Sequence, residues 1–244
     1  SSMEKQRDWD NAFTGQDNRG RVSTAPSFAG ALSFMRRRYS KDLHEVDIAV
    51  TGIPVDSATS NRPGARFGPR AIRAISASMS WNRPWPWRID PLEQLNIVDY
   101  GDCVFDFGKP DTIHSSIQEH VAGILDQGTA TLTIGGDHFI TYPILEAYAS
   151  HNGPRSLIHF DAHSDTWPEP GERMDHGTMF YHATRRGLID DQRSVQIGLS
   201  TTNDDPLGFT ILDARYVHQH SATNIAEQVK RVVGSDKVYL TFDI

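Results

Sequence analysis

The chain has 244 residues, 38% of them hydrophobic and 23% charged, with a formal net charge of −7. That is globular composition, long enough for one sizeable core. The acidic balance argues against a nucleic-acid surface, which would favour a basic face. Cys103 is the only cysteine, so no intrachain disulfide is expected and a reducing, cytoplasmic setting fits. The polar opening lacks the apolar core of a signal peptide, and no apolar run approaches the ~20 residues that span a bilayer. The expectation is a cytoplasmic protein with neither membrane nor nucleic acid as partner.

Residues 1–40 are polar and are expected to form an irregular arm, with Arg36-Arg37-Arg38 solvated. From 41 to 244 a single domain is expected. Short apolar runs alternate there with helical patterns, at Val46–Ile53, Leu95–Val98, Ala130–Ile134, Ser156–Phe160, Val195–Leu199, Phe209–Leu212 and Lys237–Phe242. Several are nearly continuous in Ile, Val, Leu and Phe, as in strands buried on both faces. Between 112 and 127, Ile113, Ile117, Val121, Ile124 and Leu125 share one helical face, and Gly128 supplies the stop. Between 224 and 233, Thr223 is the expected N-cap and Ile225, Val229 and Val232 make the stripe. Strand–helix alternation implies crossover connections, hence an α/β fold with a mostly parallel sheet. Ligands gather at the carboxyl ends of such strands.

Three of those ends carry unusual polar groups: Gly135-Gly136-Asp137-His138, His159-Phe160-Asp161-Ala162-His163-Ser164-Asp165 and Thr241-Phe242-Asp243. Asp161, His163 and Asp165 recur at every second residue, which puts them on one face of an extended segment. Two carboxylates and an imidazole crowded together repel and desolvate one another unless a cation sits between them. Alone, His138 reads as a turn residue, and His159 as a satisfied core histidine. With His138 and Asp243 at two further strand ends, the Asp-x-His-x-Asp run points to metal. A carboxylate-rich set without thiolate favours manganese over structural zinc, and the number of carboxylates suggests two ions sharing a bridging Asp. Asp175-His176-Gly177-Thr178 lies in the loop beyond; either His176 moves protons near neutral pH, or Asp175 or His176 caps the helix starting near Thr178. The stretch from Gly52 to Arg73, rich in Gly, Pro and Arg, reads as a rigid structural loop.

Together these motifs resemble the ureohydrolases, the family of arginases, agmatinases and guanidinobutyrases. Gly135-Gly136-Asp137-His138 is similar to the first family signature, Phe160–Asp165 to the second, and Thr241–Ile244 to the start of the third. The resemblance runs from about Asp47 to Ile244. It implies a three-layer α/β/α fold and two manganese ions per subunit. By it, His138, Asp161, Asp165 and Asp243 hold one ion, and Asp161 and Asp243 bridge to the second, which His163 also binds. It further implies that Asp165 passes a proton to the departing amine, that His176 is a mobile proton shuttle, and that the chain forms trimers or hexamers. The third signature of the family continues with a second aspartate two residues on, beyond Ile244, so the expected domain lacks its C-terminal part.

Within the family the resemblance is nearest to bacterial agmatinases, carried by Gly52–Arg73, Asn96–Asp102, Asp175–Phe180 and Val195–Gly198. The loop Trp167–Met174 has no Thr/Asn/Ser cluster to grip an amino acid's carboxylate, and its Glu169 and Glu172 favour a substrate that ends in a cation. Arg173 leaves a guanidino acid such as guanidinobutyrate as an alternative, unless it pairs with its neighbouring glutamates. A non-catalytic metal-binding relative and a zinc hydrolase are the readings from other classes.

Overall fold

Parallel strands flanked by helices make up both halves of this computed structural model, which describes residues 9–81 and 83–244. Residues 1–8 of the expected arm therefore lie outside the described residues. The chain clusters into two compact units, one mainly from 9–56, 63–116 and 120–136, the other from 57–62, 117–119 and 137–244.

In the first unit, β1 (Thr14–Gln16) and β2 (Val22–Thr24) pair antiparallel. The Asp17 carboxylate holds their turn by accepting from the N–H groups of Arg19 and Arg21. The arm is thus partly ordered into a ladder. Two of its three clustered arginines also depart from expectation: Arg38 is exposed, but Arg36 and Arg37 are 1% and 2% exposed, not solvated. Arg36 donates to the carbonyls of Ala25 and Pro26 and lies against the rings of Trp9, Phe13 and Trp81. A guanidinium whose donors find carbonyls and whose flat face stacks on aromatics can be buried.

The unit continues through β3 (Ile48–Ile53), α1 (Gly68–Met79), α2 (Pro91–Gln94), β4 (Ile97–Asp102), α3 (Ile113–Leu125) and β5 (Ala130–Gly135), with parallel strand order β4-β3-β5. Leu43, Val46, Ala49, Val98 and Ile124 pack as its core. β4 runs past the expected apolar stretch because its register against β3 shifts between Val50 and Thr51, a bulge that Gly101 permits at φ +77°. Arg73 and Asp99, both buried, form a two-pronged ion pair at 2.8 and 2.9 Å. The stretch read as a loop to Arg73 becomes helical at Gly68. Pro69 falls in the first turn, where its missing N–H costs nothing.

The second unit contains α4 (Thr141–Asn152), β6 (Ser156–Phe160), α5 (Met179–Arg185), β7 (Val195–Ile197), β8 (Thr210–Leu212), α6 (Ala214–Gln219), α7 (Ala222–Val233) and β9 (Val238–Phe242). Its strands are all parallel, in the order β8-β7-β6-β9. On one face Leu157 packs with Tyr142 and Leu145 of α4 and Met179, Phe180 and Ala183 of α5. On the other, Ile158, Val195, Ile197 and Leu212 meet Ile225, Val229 and Val232 of α7. Alternating side chains of one sheet thus serve two helical layers.

Ser221, not Thr223, caps α7: its Oγ accepts from the Asn224 N–H, and Ala222 extends the helix by two residues. β9 is less buried than its apolar run suggested, with Leu240 and Phe242 about 60% exposed on an edge strand. No helix among the described residues is long and apolar enough to cross a membrane.

Candidate metal centre

Register brings the acidic groups together. β6 and β9 align His159 with Thr241 and Phe160 with Phe242, so the next residues, Asp161 and Asp243, emerge side by side. The ladder continues at both: the Asp161 N–H donates to the Ile197 carbonyl, and the Asp243 N–H to that of Phe160. His138 arrives from the β5 side, in a 3-10 turn (His138–Ile140) capped by Asp137, whose carboxylate accepts from the Phe139 N–H. After Asp161 the chain bends. Asp165 has φ +54°, a conformation uncommon outside glycine that clusters at functional sites.

Three carboxylates converge on one imidazole nitrogen. Nδ1 of His138 lies 2.9 Å from Asp165, 3.2 Å from Asp161 and 3.5 Å from Asp243. Its Nε2 is 2.8 Å from the Thr241 hydroxyl. Protonated, His138 donates from Nδ1 to the carboxylates and from Nε2 to Thr241 Oγ1; with a cation held at Nδ1, the Nε2–H would keep the bond to Thr241. His163 stands alongside, its backbone N–H donating to Asp161 Oδ1 at 2.7 Å and its ring 3.3 Å from the same oxygen. The bend leaves the His163 side chain 63% exposed while Asp161 and Asp165 are buried. The three therefore do not share one extended face; they meet around a turn.

Burial alone would depress the His138 pKa, but hydrogen bonds to Asp161, Asp165 and Asp243 outweigh it and hold it well above the ordinary histidine value. Burial raises Asp165 above the usual carboxylate range. For Asp161 burial works in the same direction, yet hydrogen bonds from His138 and His159 prevail and lower it. Burial lowers His159. One imidazole thus shares its charge among several carboxylates.

The donor set fits a cation better. Ligands at about 2.1 Å from an ion in near-octahedral geometry stand about 3 Å from one another, which is the spacing around His138 Nδ1. His138, His159, Asp161 and Asp165 can each offer an atom within 4.8 Å of the others. His159 is the exception chemically. Its Nε2 lies 2.9 Å from Asp161 Oδ2 and its Nδ1 3.0 Å from Gln196 Nε2, so both ring nitrogens are taken. It is a satisfied core histidine whose partner is one of the clustered carboxylates.

The cluster opens into a cavity of about 580 Å³ lined by Asp161, His163, Asp165, Trp167, His176 and Asp243, among others, within the usual range for small-molecule sites. His176 reaches this cavity and does not cap α5. Its Nε2 accepts from the Ser60 N–H at 3.2 Å and lies 3.0 Å from Ser60 Oγ. Asp175 instead closes its own turn by accepting from the Gly177 N–H. Arg173 pairs with Asp175 at 3.0 Å, an acid that neither sequence alternative, a substrate carboxylate or the neighbouring glutamates, had named. In the first unit Arg66 is tied to Asp56, and Arg73 to Asp99 and Asp102. The Gly52–Arg73 arginines thus include two with structural acid partners. Sequence reasoning did not single out Thr241, Gln196 or Ser60 as site residues. Gln196 alone left a signal, one amide in an apolar strand.

The Arginase family model matches residues 46–244. A Chromobacterium violaceum protein named agmatinase is 51% identical over 220 residues, covering 89% of this chain and 68% of that protein. The crystal structure of a hypothetical agmatinase from Burkholderia thailandensis superposes with a TM-score of 0.88 at 48% identity, covering 96% of this chain and 72% of that one. Proclavaminate amidino hydrolase from Streptomyces clavuligerus follows at 0.80 and 34%, covering 90% and 75%. These likenesses carry the three-layer α/β/α fold, and the chain belongs to the arginase family of ureohydrolases.

Proposed function

We propose that this chain hydrolyses agmatine to urea and putrescine with two manganese ions. The observation that carries the proposal is the convergence of Asp161, Asp165 and Asp243 on His138 Nδ1 at an open cavity. His138, Asp161, Asp165 and Asp243 would hold one ion; His163, with Asp161 and Asp243 shared, would hold the other. Bound there, the ions supply the Lewis acidity that makes water nucleophilic near neutral pH.

The remaining roles belong to side chains. A guanidinium carbon is a poor electrophile, so the cavity has to hold it beside the attacking water. Addition of water gives a tetrahedral carbon, and collapse breaks its bond to the alkyl nitrogen. Asp165, buried beside the cluster, takes the proton that water gives up and passes it to that nitrogen as it leaves. His176, held at Nε2 by Ser60, exchanges protons between the cavity and solvent.

Agmatine is favoured over guanidino acids because Arg173 already has a carboxylate partner in Asp175. The half-buried Glu169 and the exposed Glu172 suit a cationic tail. The agmatinase names of the similar proteins support the same choice. Putrescine formation in the cytoplasm, by a homo-oligomer, is the setting we assign.

The test is urea release by purified, manganese-loaded protein from agmatine, arginine and 4-guanidinobutyrate. Agmatine should be turned over with the highest kcat/KM. A preference for guanidinobutyrate would replace the substrate and keep the reaction. The relative from S. clavuligerus, named for amidino hydrolysis of proclavaminate, makes that the second reading. No urea from any of the three would sink the proposal.

A further inference from the structure

Gln196 is a buried amide in an otherwise apolar strand. It is 0% exposed, between Val195 and Ile197 of β7, and it faces the same side of the sheet as His159. Its Nε2 donates one hydrogen to the Ser164 carbonyl at 2.6 Å and the other to His159 Nδ1 at 3.0 Å. The opposite amide orientation would set Oε1 against the Ser164 carbonyl oxygen, so the assignment follows from the contacts. With Nδ1 accepting, His159 carries its hydrogen on Nε2 and donates it to Asp161 Oδ2 at 2.9 Å.

One amide therefore fixes both acidic segments. Ser164 immediately precedes Asp165, and His159 hands its constraint to Asp161. Gln196 Oε1 is buried without a hydrogen-bond partner. An unpaired buried acceptor costs stability that an apolar residue of similar volume would not lose. Packing alone thus gives no reason for an amide here, whereas holding two anionic side chains against their mutual repulsion does.

We infer that Gln196 is a positioning residue for the cation site: through Ser164 and His159 it sets where the Asp165 and Asp161 carboxylates stand, and so sets divalent-cation affinity. The inference rests on the metal-dependent reading above. Outer partners that orient metal ligands typically change affinity 10–100-fold when removed.

The experiment titrates manganese into chelator-treated full-length protein by calorimetry, for wild type, Gln196→Met, His159→Phe and the double variant, with melting of each metal-free protein in parallel. Gln196→Met should weaken manganese binding about 10–100-fold. The double variant should bind less weakly than the two single losses multiplied together, because Gln196 acts on Asp161 through His159. If Gln196→Met does not fold, Gln196→Asn keeps the amide but withdraws it by one methylene, and the same weakening is expected. Affinity within twofold of wild type, with only the metal-free melting temperature lowered, would reduce Gln196 to a structural hydrogen bond and overturn the inference. Wild-type protein that takes up no divalent cation would overturn the metal reading first, and this with it.

Discussion

Replacing Asp99 with asparagine tests whether the acid–base pairs of the first unit are structural. Asp99 is fully buried and accepts from the Phe34 N–H, the Gly101 N–H and two nitrogens of Arg73. Asp99→Asn leaves Arg73 without its buried counter-charge and turns one acceptor oxygen into a donor facing two donors. Breaking a buried pair by removing one partner costs about 3–5 kcal/mol. Arg73 keeps Asp102 at 2.6 Å, but that carboxylate is 40% exposed and its attraction is screened. The expected loss is therefore near the lower end, about 3 kcal/mol. For a chain of this size that lowers the melting temperature by roughly 6–12 °C.

Urea unfolding followed through Trp9 and Trp81, which pack edge to face at 4.7 Å in the same unit, reports the change. Asp102→Asn serves as the exposed control and should cost under about 1 kcal/mol. Equal losses in the two variants, or less than about 1 kcal/mol for Asp99→Asn, would refute this account of the pair.

Three further outcomes are expected. His163→Ala should lose at least one of the two manganese ions and most urea release; unchanged metal content by atomic absorption would contradict its assignment as a ligand. Chelation should lower the melting temperature and manganese should restore it, by about 2.7 kcal/mol when free metal is 100-fold above its dissociation constant. Hydrogen exchange should show the β9 amides opening first in the metal-free protein, and a melt indifferent to chelation would argue against a bound ion. In the first unit, the Arg66 guanidinium, aided by the Gly64 and Arg66 N–H groups, holds the buried Asp56 carboxyl down to about 2 from an ordinary 3.8. A depressed acid stabilises the fold above its unfolded pKa. That contribution should be complete above about pH 4 and disappear as the pH falls towards 2. Arg66→Gln should flatten the stability–pH curve in that window, and an unaltered curve would rule the pair out as its cause.

What could be read from sequence depended on whether a signal is local. Asp161, His163 and Asp165 lie within five residues, and their mutual repulsion is apparent without knowing what surrounds them. β3 and α3 were legible because continuous apolar runs and a 3.6-residue stripe are one-dimensional patterns. α4 was not, since Tyr142, Pro143, Ile144, Leu145 and Ala147 are buried around most of its circumference and leave no stripe. Arg36 and Arg37 misled because charge predicts solvent only until a cradle of carbonyls and aromatic faces is supplied from elsewhere. Thr241 left no sign of a site role, and the lone amide of Gln196 gave no hint of its partners, for the same reason. Their partners lie 103 and 37 residues away, and only strand register brings them together.

Register also explains why the site and the fold stand or fall together. A one-residue slip of β9 against β6 would turn every β9 side chain to the opposite face. Thr241 would then leave His138 Nε2, and Phe242 would move into its place. Tyr239, packed against the cluster of Leu157, Tyr142 and Phe180, would be turned out of the core by such a slip. The polar contacts of Thr241 with His138, and of Asp243 with its Nδ1, favour the same register. They tie an edge strand to the turn after β5, yet they crowd three carboxylates around a single imidazole. A cation in that space reverses the sign of the interaction: the groups that would push β9 away become the groups that hold it. Metal affinity and the placement of this strand are in that sense one equilibrium, which is why chelation is expected to be felt first in β9.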